Sequence, residues 1–161
     1  AVSAPEQTPT TEAPVTETPT TETPATETPT TEAPVTDAPT SDLGQQIANF
    51  ACQFVGNPYV WGGTSLTNGA DCSGFVQSVY KNFGYSLPRT CTPQSNAGTP
   101  VSIAALQPGD LVFYDHGTGS CEHVGIYIGN GQIVHASSSR TGIKISNVNY
   151  STPFKACRIV N

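Results

Sequence analysis

Apolar residues fall on two different periods along this chain. Leu43, Ile47, Phe50, Ala51, Phe54 and Val55 recur at helical spacing behind Asp42 and Gln45, which resemble a capping box, so the pattern predicts a first helix over 43–55. Phe75, Val76, Val79, Tyr80 and Phe83 form a second helical stripe that begins near Cys72 and meets a stop signal at Gly84. Beyond Gln107-Pro108-Gly109-Asp110, a turn by composition, the period shortens. β-Branched and aromatic runs at 111–114, 124–128, 133–136, 143–148 and 156–160 predict strands. Helices precede strands, so the expected class is α+β, with N-terminal helices packed on an antiparallel sheet.

Gly129-Asn130-Gly131 signals a hairpin between the second and third of these strands, and its register matters. A two-residue Asn-Gly loop pairing Gly129 with Gln132 would put His123 and His135 on opposite faces. A three-residue loop with Gly131 in the left-handed position pairs Ile128 with Gln132 and His135 with Gly125, which puts both histidines on one face. The same register gathers Val124, Ile126, Ile128, Val134 and Ala136 on the other, as a core requires. Burial and a shared histidine site therefore choose the same register.

Composition divides the chain at about residue 42. All thirteen aromatic residues and all six Lys and Arg lie beyond that point. Before it, proline recurs every five residues from Pro9 to Pro39, inside near-copies of a ten-residue unit beginning Thr-Pro-Thr-Thr-Glu. Such a segment has nothing to bury, and proline blocks helix, so 1–42 is expected to be a disordered spacer. An O-glycosylated stalk is the sharper reading of the same composition. The remaining 119 residues, 43–161, suit one domain.

The net charge of −6 belongs to the first segment, which carries eight acids and no base; the rest has four acids against six bases. That balance lacks a nucleic-acid footprint. No apolar run approaches the ~18 residues of a membrane span, and none resembles a signal-peptide core. The chain opening at Ala1 reads as already processed.

Five cysteines in the domain suit an oxidising compartment, and four can pair while one stays free. Cys72 is the candidate free thiol, because a helix start offers unbonded N–H groups and a positive dipole end that favour a thiolate. A half-buried structural or disulfide cysteine is the competing reading. A nucleophilic thiol also needs a base and a group to orient that base, and His123 and His135 are the candidates. Neither has the partner spacing of a zinc site, so no metal or other cofactor is expected; His116 reads as a solvent residue.

The runs Pro58-Tyr59-Val60-Trp61-Gly62-Gly63, Asp71-Cys72-Ser73-Gly74-Phe75, Leu87-Pro88-Arg89-Thr90, Leu106-Gln107-Pro108-Gly109-Asp110-Leu111 and His123-Val124-Gly125-Ile126-Tyr127 resemble, in order, the NlpC/p60 cysteine peptidases. The resemblance implies a papain-like core with Cys72 as nucleophile, His123 as base and His135 as its orienter. It further implies that Tyr59 helps hold the oxyanion and that Asp71, Ser73, Arg89 and Trp61 line the substrate groove. Cys91 is a departure, standing where a serine is common. The implied reaction is hydrolysis of the γ-D-glutamyl to diamino acid bond in peptidoglycan stem peptides by a secreted, monomeric enzyme. Amidase or acyl-transfer chemistry on the same scaffold, and an inactive wall-binding module, are the alternatives.

If Cys72 stays free, three pairings of the other cysteines are open. Proximity favours Cys52 with Cys157 and Cys91 with Cys121, the latter two in loops that the motifs place at the groove.

Overall fold

The computed structural model describes residues 42–160. The spacer expected over 1–42 lies, apart from Asp42, outside the described residues. Helix α1 spans Asp42–Cys52, and a small ribbon of β1 (Thr64–Ser65) and β2 (Gly69–Ala70) leads into α2 (Cys72–Lys81). Next come a short α3 (Cys91–Ser95), β3 (Thr99–Pro100) and a 3-10 turn (Ile103–Ala105). The strands β4 (Leu111–Tyr114), β5 (His123–Gly129), β6 (Gln132–Ser138), β7 (Gly142–Asn147) and β8 (Pro153–Arg158) follow. The main sheet is antiparallel throughout, in the order β3-β8-β4-β5-β6-β7. This is the expected α+β arrangement.

The core forms where α1 and α2 pack on the sheet. Ile47, Ala51, Phe75, Val76, Val79 and Tyr80 from the helices meet Leu111, Phe113, Val124, Ile126, Val134 and Ala136 from the strands. The opposite face of the sheet carries a smaller cluster of Val112, Tyr114, Ile133 and Val148. Tyr80 hydroxyl donates to the Gly109 carbonyl, tying α2 to the Pro-Gly turn. Asp110 takes a two-point ion pair from Arg158, whose Nε and Nη2 donate at 2.8 Å each, fixing that turn to β8.

Three elements depart from expectation. α1 ends at Cys52, three residues early, because Gly56 N donates to Ile143 O and Ile143 N donates to Asn57 O, each at 2.9 Å. β7 thus captures the chain and draws it out of the helix. The last strand runs Pro153–Arg158 rather than 156–160, set by its pairing with β4 from Tyr114↔Pro153 to Leu111↔Cys157. The hairpin tip also differs. Its loop is the two-residue Asn130-Gly131, closed by Gly129↔Gln132, with both residues at positive φ (55° and 73°). A bulge between Tyr127 and Gly129 absorbs the one-residue shift, so Ile126↔Val134 and Tyr127↔Ile133 keep the register that places the histidines together.

Candidate active site

Asp71 opens the site. Its backbone is extended and its Oδ1 accepts from Gly74 N at 2.8 Å, so it caps α2 and makes Cys72 the first helical residue. The preceding loop crosses closely here: a Cβ on Gly74 would stand 2.1 Å from the Gly63 carbonyl oxygen. Glycine is required for that approach. The thiol is reached by backbone N–H groups of Val124, Ser73 and Cys72 itself, so it lies against the residue that follows His123. Burial nevertheless pushes the thiol above its ordinary value, outweighing those amides, with Asp71 adding to the rise. The amides at the helix start act in the direction expected from the sequence, but burial outweighs them and the net shift is upward.

His123, first in β5, and His135, in β6, are both buried. His123 Nε2 lies 2.6 Å from His135 Nδ1, with the rings edge to face at 4.9 Å. The hairpin therefore brings the two imidazoles into one hydrogen-bonded pair, leaving His123 Nδ1 outside that bond. Burial, then the neighbouring His135 and His116, push His123 far below the ordinary histidine range. Burial, then Lys144, does the same to His135. Both imidazoles are neutral at neutral pH, so one of them can take a proton from a thiol.

Tyr59 stands beside this centre: burial first, then the charges of Cys72 and Asp71, push its phenol up. A groove of about 550 Å³ runs from Cys72 past Trp61, Ser73, Arg89, Thr90, Cys91 and Glu122. Trp61 is 85% exposed at its rim. Arg89 donates to both oxygens of Asp71 at 3.1 Å and to Ser73 Oγ at 3.0 Å, and Nη2 also reaches the Gly63 carbonyl at 3.3 Å. Asp71 Oδ2 takes a further bond from Gly62 N at 3.0 Å. Burial alone would raise this carboxyl, but the bonds from Arg89, Gly74 and Gly62 hold it below its usual value. The three polar residues expected to line the groove do so, yet Asp71 is committed to the scaffold.

Sequence reasoning missed part of the surroundings. Tyr150 places its ring 5.3 Å from His135 and 6.4 Å from His123, and its phenol is pushed up to about 12 by burial and by Cys72. His116, read as a solvent residue, is exposed but stacks on His123 at 6.0 Å and bonds the Tyr150 hydroxyl through Nε2 at 3.3 Å. Gln94, on the unanticipated α3, is fully buried and donates to the carbonyls of Ser73 and Pro88, tying the Arg89 segment to α2. None of these carries a local signal. They meet the site through tertiary packing.

Cys91 and Cys121 form a disulfide, with Cα atoms 5.9 Å apart, and both line the groove. The expected partner bridge is corrected: Cys52 and Cys157 are free thiols. α1 packs over β5 and β6, while Cys157 sits on β8, beyond β4, with its sulfur directed at the Gln94 carbonyl at 3.6 Å. Both cysteines face the same core, but they pack over strands that β4 separates, so the pair does not form.

Comparison with known proteins agrees with this fold. The chain is 42% identical over 105 residues to a γ-D-glutamyl-L-lysine dipeptidyl-peptidase of Bacillus cereus, covering 64% of this chain and 31% of that protein. It thus spans about a third of that relative's length. Among solved structures, an NlpC/P60 family protein from Bacillus cereus superposes with a TM-score of 0.69 at 37% identity, over 73% of this chain and 40% of that one. The NlpC/p60 domain of the peptidoglycan hydrolase SagA superposes at 0.65 with 36% identity, over 71% of this chain and 97% of that one. The family pattern itself runs from residue 56 to residue 160, from just beyond the first helix through the last strand, and a chain matched over that whole span belongs to the NlpC/P60 family.

Proposed function

We propose that the protein is a secreted cysteine endopeptidase that hydrolyses the γ-D-glutamyl to diamino acid bond of peptidoglycan stem peptides. The observation that carries this reading is the 2.6 Å bond between His123 and His135, with the thiol at the first position of α2 reached by the backbone N–H of Val124, the residue after His123. Membership of the NlpC/P60 family and the similarity to a γ-D-glutamyl-L-lysine dipeptidyl-peptidase support the substrate class. The Cys91–Cys121 disulfide supports an oxidising, extracellular setting.

In the proposed cycle Cys72 Sγ attacks the γ-carbonyl carbon of the glutamyl residue as its proton passes to His123 Nδ1. The oxyanion is held by Cys72 N–H and the Tyr59 hydroxyl. Collapse breaks the C–N bond, and the leaving amine takes the proton from His123. Water, deprotonated by the same nitrogen, then attacks the thioester, freeing the carboxylate and restoring the thiol. His135 Nδ1 accepts from His123 Nε2 throughout and stabilises the imidazolium. Asp71 and Ser73 hold Arg89 at the groove, and Trp61 offers an apolar face at the rim.

Mass analysis of digested peptidoglycan tests the reading. New N-terminal diamino acids, absent with Cys72→Ala, are expected. Freed lactyl groups would mean amidase chemistry, and intact stems would mean a binding module.

A further inference from the structure

His135 makes a second bond. Its Nε2 lies 2.9 Å from Ser146 Oγ on β7. The register explains the approach: His135 pairs with Lys144 and Ile133 with Ser146, so Ser146 is the diagonal neighbour on the face that carries the histidines. Each ring nitrogen of His135 thus has one partner, His123 at Nδ1 and Ser146 at Nε2.

A neutral imidazole carries one proton, and where His135 keeps it decides what His123 can do. With the proton on Nε2, donated to Ser146 Oγ, His135 Nδ1 is a bare acceptor. It then takes the Nε2–H of His123, and His123 Nδ1 is left as the base. With the proton on His135 Nδ1 the chain reverses. His123 Nε2 becomes the acceptor, its own proton moves to Nδ1, and that nitrogen can accept nothing from a thiol. Once His123 has been protonated its Nε2–H also needs a bare acceptor, so only the first arrangement serves both stages.

We infer that Ser146 is a positioning residue which, by accepting from His135 Nε2, holds the orienting histidine in the tautomer that keeps His123 Nδ1 free as the base. The inference rests on the proposed roles of Cys72, His123 and His135. Burial, then Lys144 opposite it, pushes His135 below the ordinary histidine range. Among the described residues, Lys144 is the only charged one that cross-strand pairing sets opposite His135, and the rings of Tyr150 and His123 pack against it.

Two measurements on the full chain test this. In Ser146→Ala, kcat on stem peptide is expected to fall about tenfold with KM unchanged, and Ser146→Thr, which keeps the hydroxyl, to restore it. The chain has three histidines, so 15N spectra can resolve each ring. The unsubstituted protein is expected to carry the His135 proton on Nε2 alone, and Ser146→Ala to populate both tautomers. A proton on His135 Nδ1 in the unsubstituted protein, or an Ser146→Ala protein with unchanged kcat or an unchanged tautomer, overturns the inference. If the unsubstituted protein cleaves no stem peptide, the proposed activity fails instead, and the nitrogen spectra still decide the role of Ser146.

Discussion

Asp71 carries more structural duty than any other polar residue at the groove, because it caps α2, accepts from Gly62 and pairs with Arg89. Asp71→Ala is expected to destabilise by roughly 2–4 kcal/mol, combining a lost cap with a broken, mostly buried ion pair. Urea unfolding measures it, and a loss below ~1 kcal/mol would show the cluster to be a surface pair. Cys72→Ala, which removes one sulfur at a helix start, is expected to abolish cleavage while leaving the unfolding midpoint in place. His123→Ala should be nearly as severe and His135→Ala milder, since water can partly replace an orienter. The positions of the residues proposed to bear chemistry were largely legible, because a cysteine at a capped helix start and two histidines in one hairpin register are local patterns. Ser146 and Tyr150 were not. A serine in an alternating strand and a tyrosine in a turn look the same whether or not an imidazole sits across from them.

At the scale of elements, both helices, the five longer strands and the hairpin offset could be read from periodicity, since amphipathic patterning sets which face is buried. Boundaries decided by partners escaped. α1 stops where Ile143 bonds the chain at Gly56 and Asn57, a contact about ninety residues away. α3 has five residues, too few for a periodic signal, and it exists because Gln94 and the Cys91–Cys121 bridge anchor it. That bridge has a testable weight. It closes a separation of 30 residues, worth about 3–4 kcal/mol on the loop-entropy model. It also clamps the segment entering His123 to the wall bearing Arg89. Cys91→Ser with Cys121→Ser should therefore lower the melting temperature. It should also lower kcat/KM when measured well below the new transition, whereas a purely thermodynamic staple would leave kcat/KM intact there.

The whole domain shares one pH signature. His123 and His135 are held neutral when folded, with values depressed by burial, while in the unfolded chain they titrate near 6.5. Above that pH the two states bind the same protons at these sites and the histidines leave stability flat. As pH falls from about 6.5 the unfolded chain takes up protons that the folded one refuses, so stability declines toward the depressed folded values. Melting temperature against pH should show this slope, and replacing both histidines by glutamine should remove it. The acid limb of kcat/KM should likewise fall below the ordinary histidine range. Composition alone divided the chain, and removal of residues 1–41 is expected to leave domain melting and cleavage of soluble stem peptides unchanged. A changed rate would make that segment part of the enzyme.

The groove holds sulfur in two oxidation states at once: a bridge between Cys91 and Cys121, and a thiol at Cys72 that the proposed chemistry consumes and regenerates. Peroxide drives the free thiol toward sulfenic acid, and a strong dithiol opens the bridge. Activity plotted against ambient redox potential is therefore expected to form a band with two edges rather than a plateau. Its oxidising edge should be reversed by a thiol as far as the sulfenic acid and not beyond it, and its reducing edge set by loosening of the His123 segment. In the double serine variant the reducing edge should vanish while the oxidising edge stays.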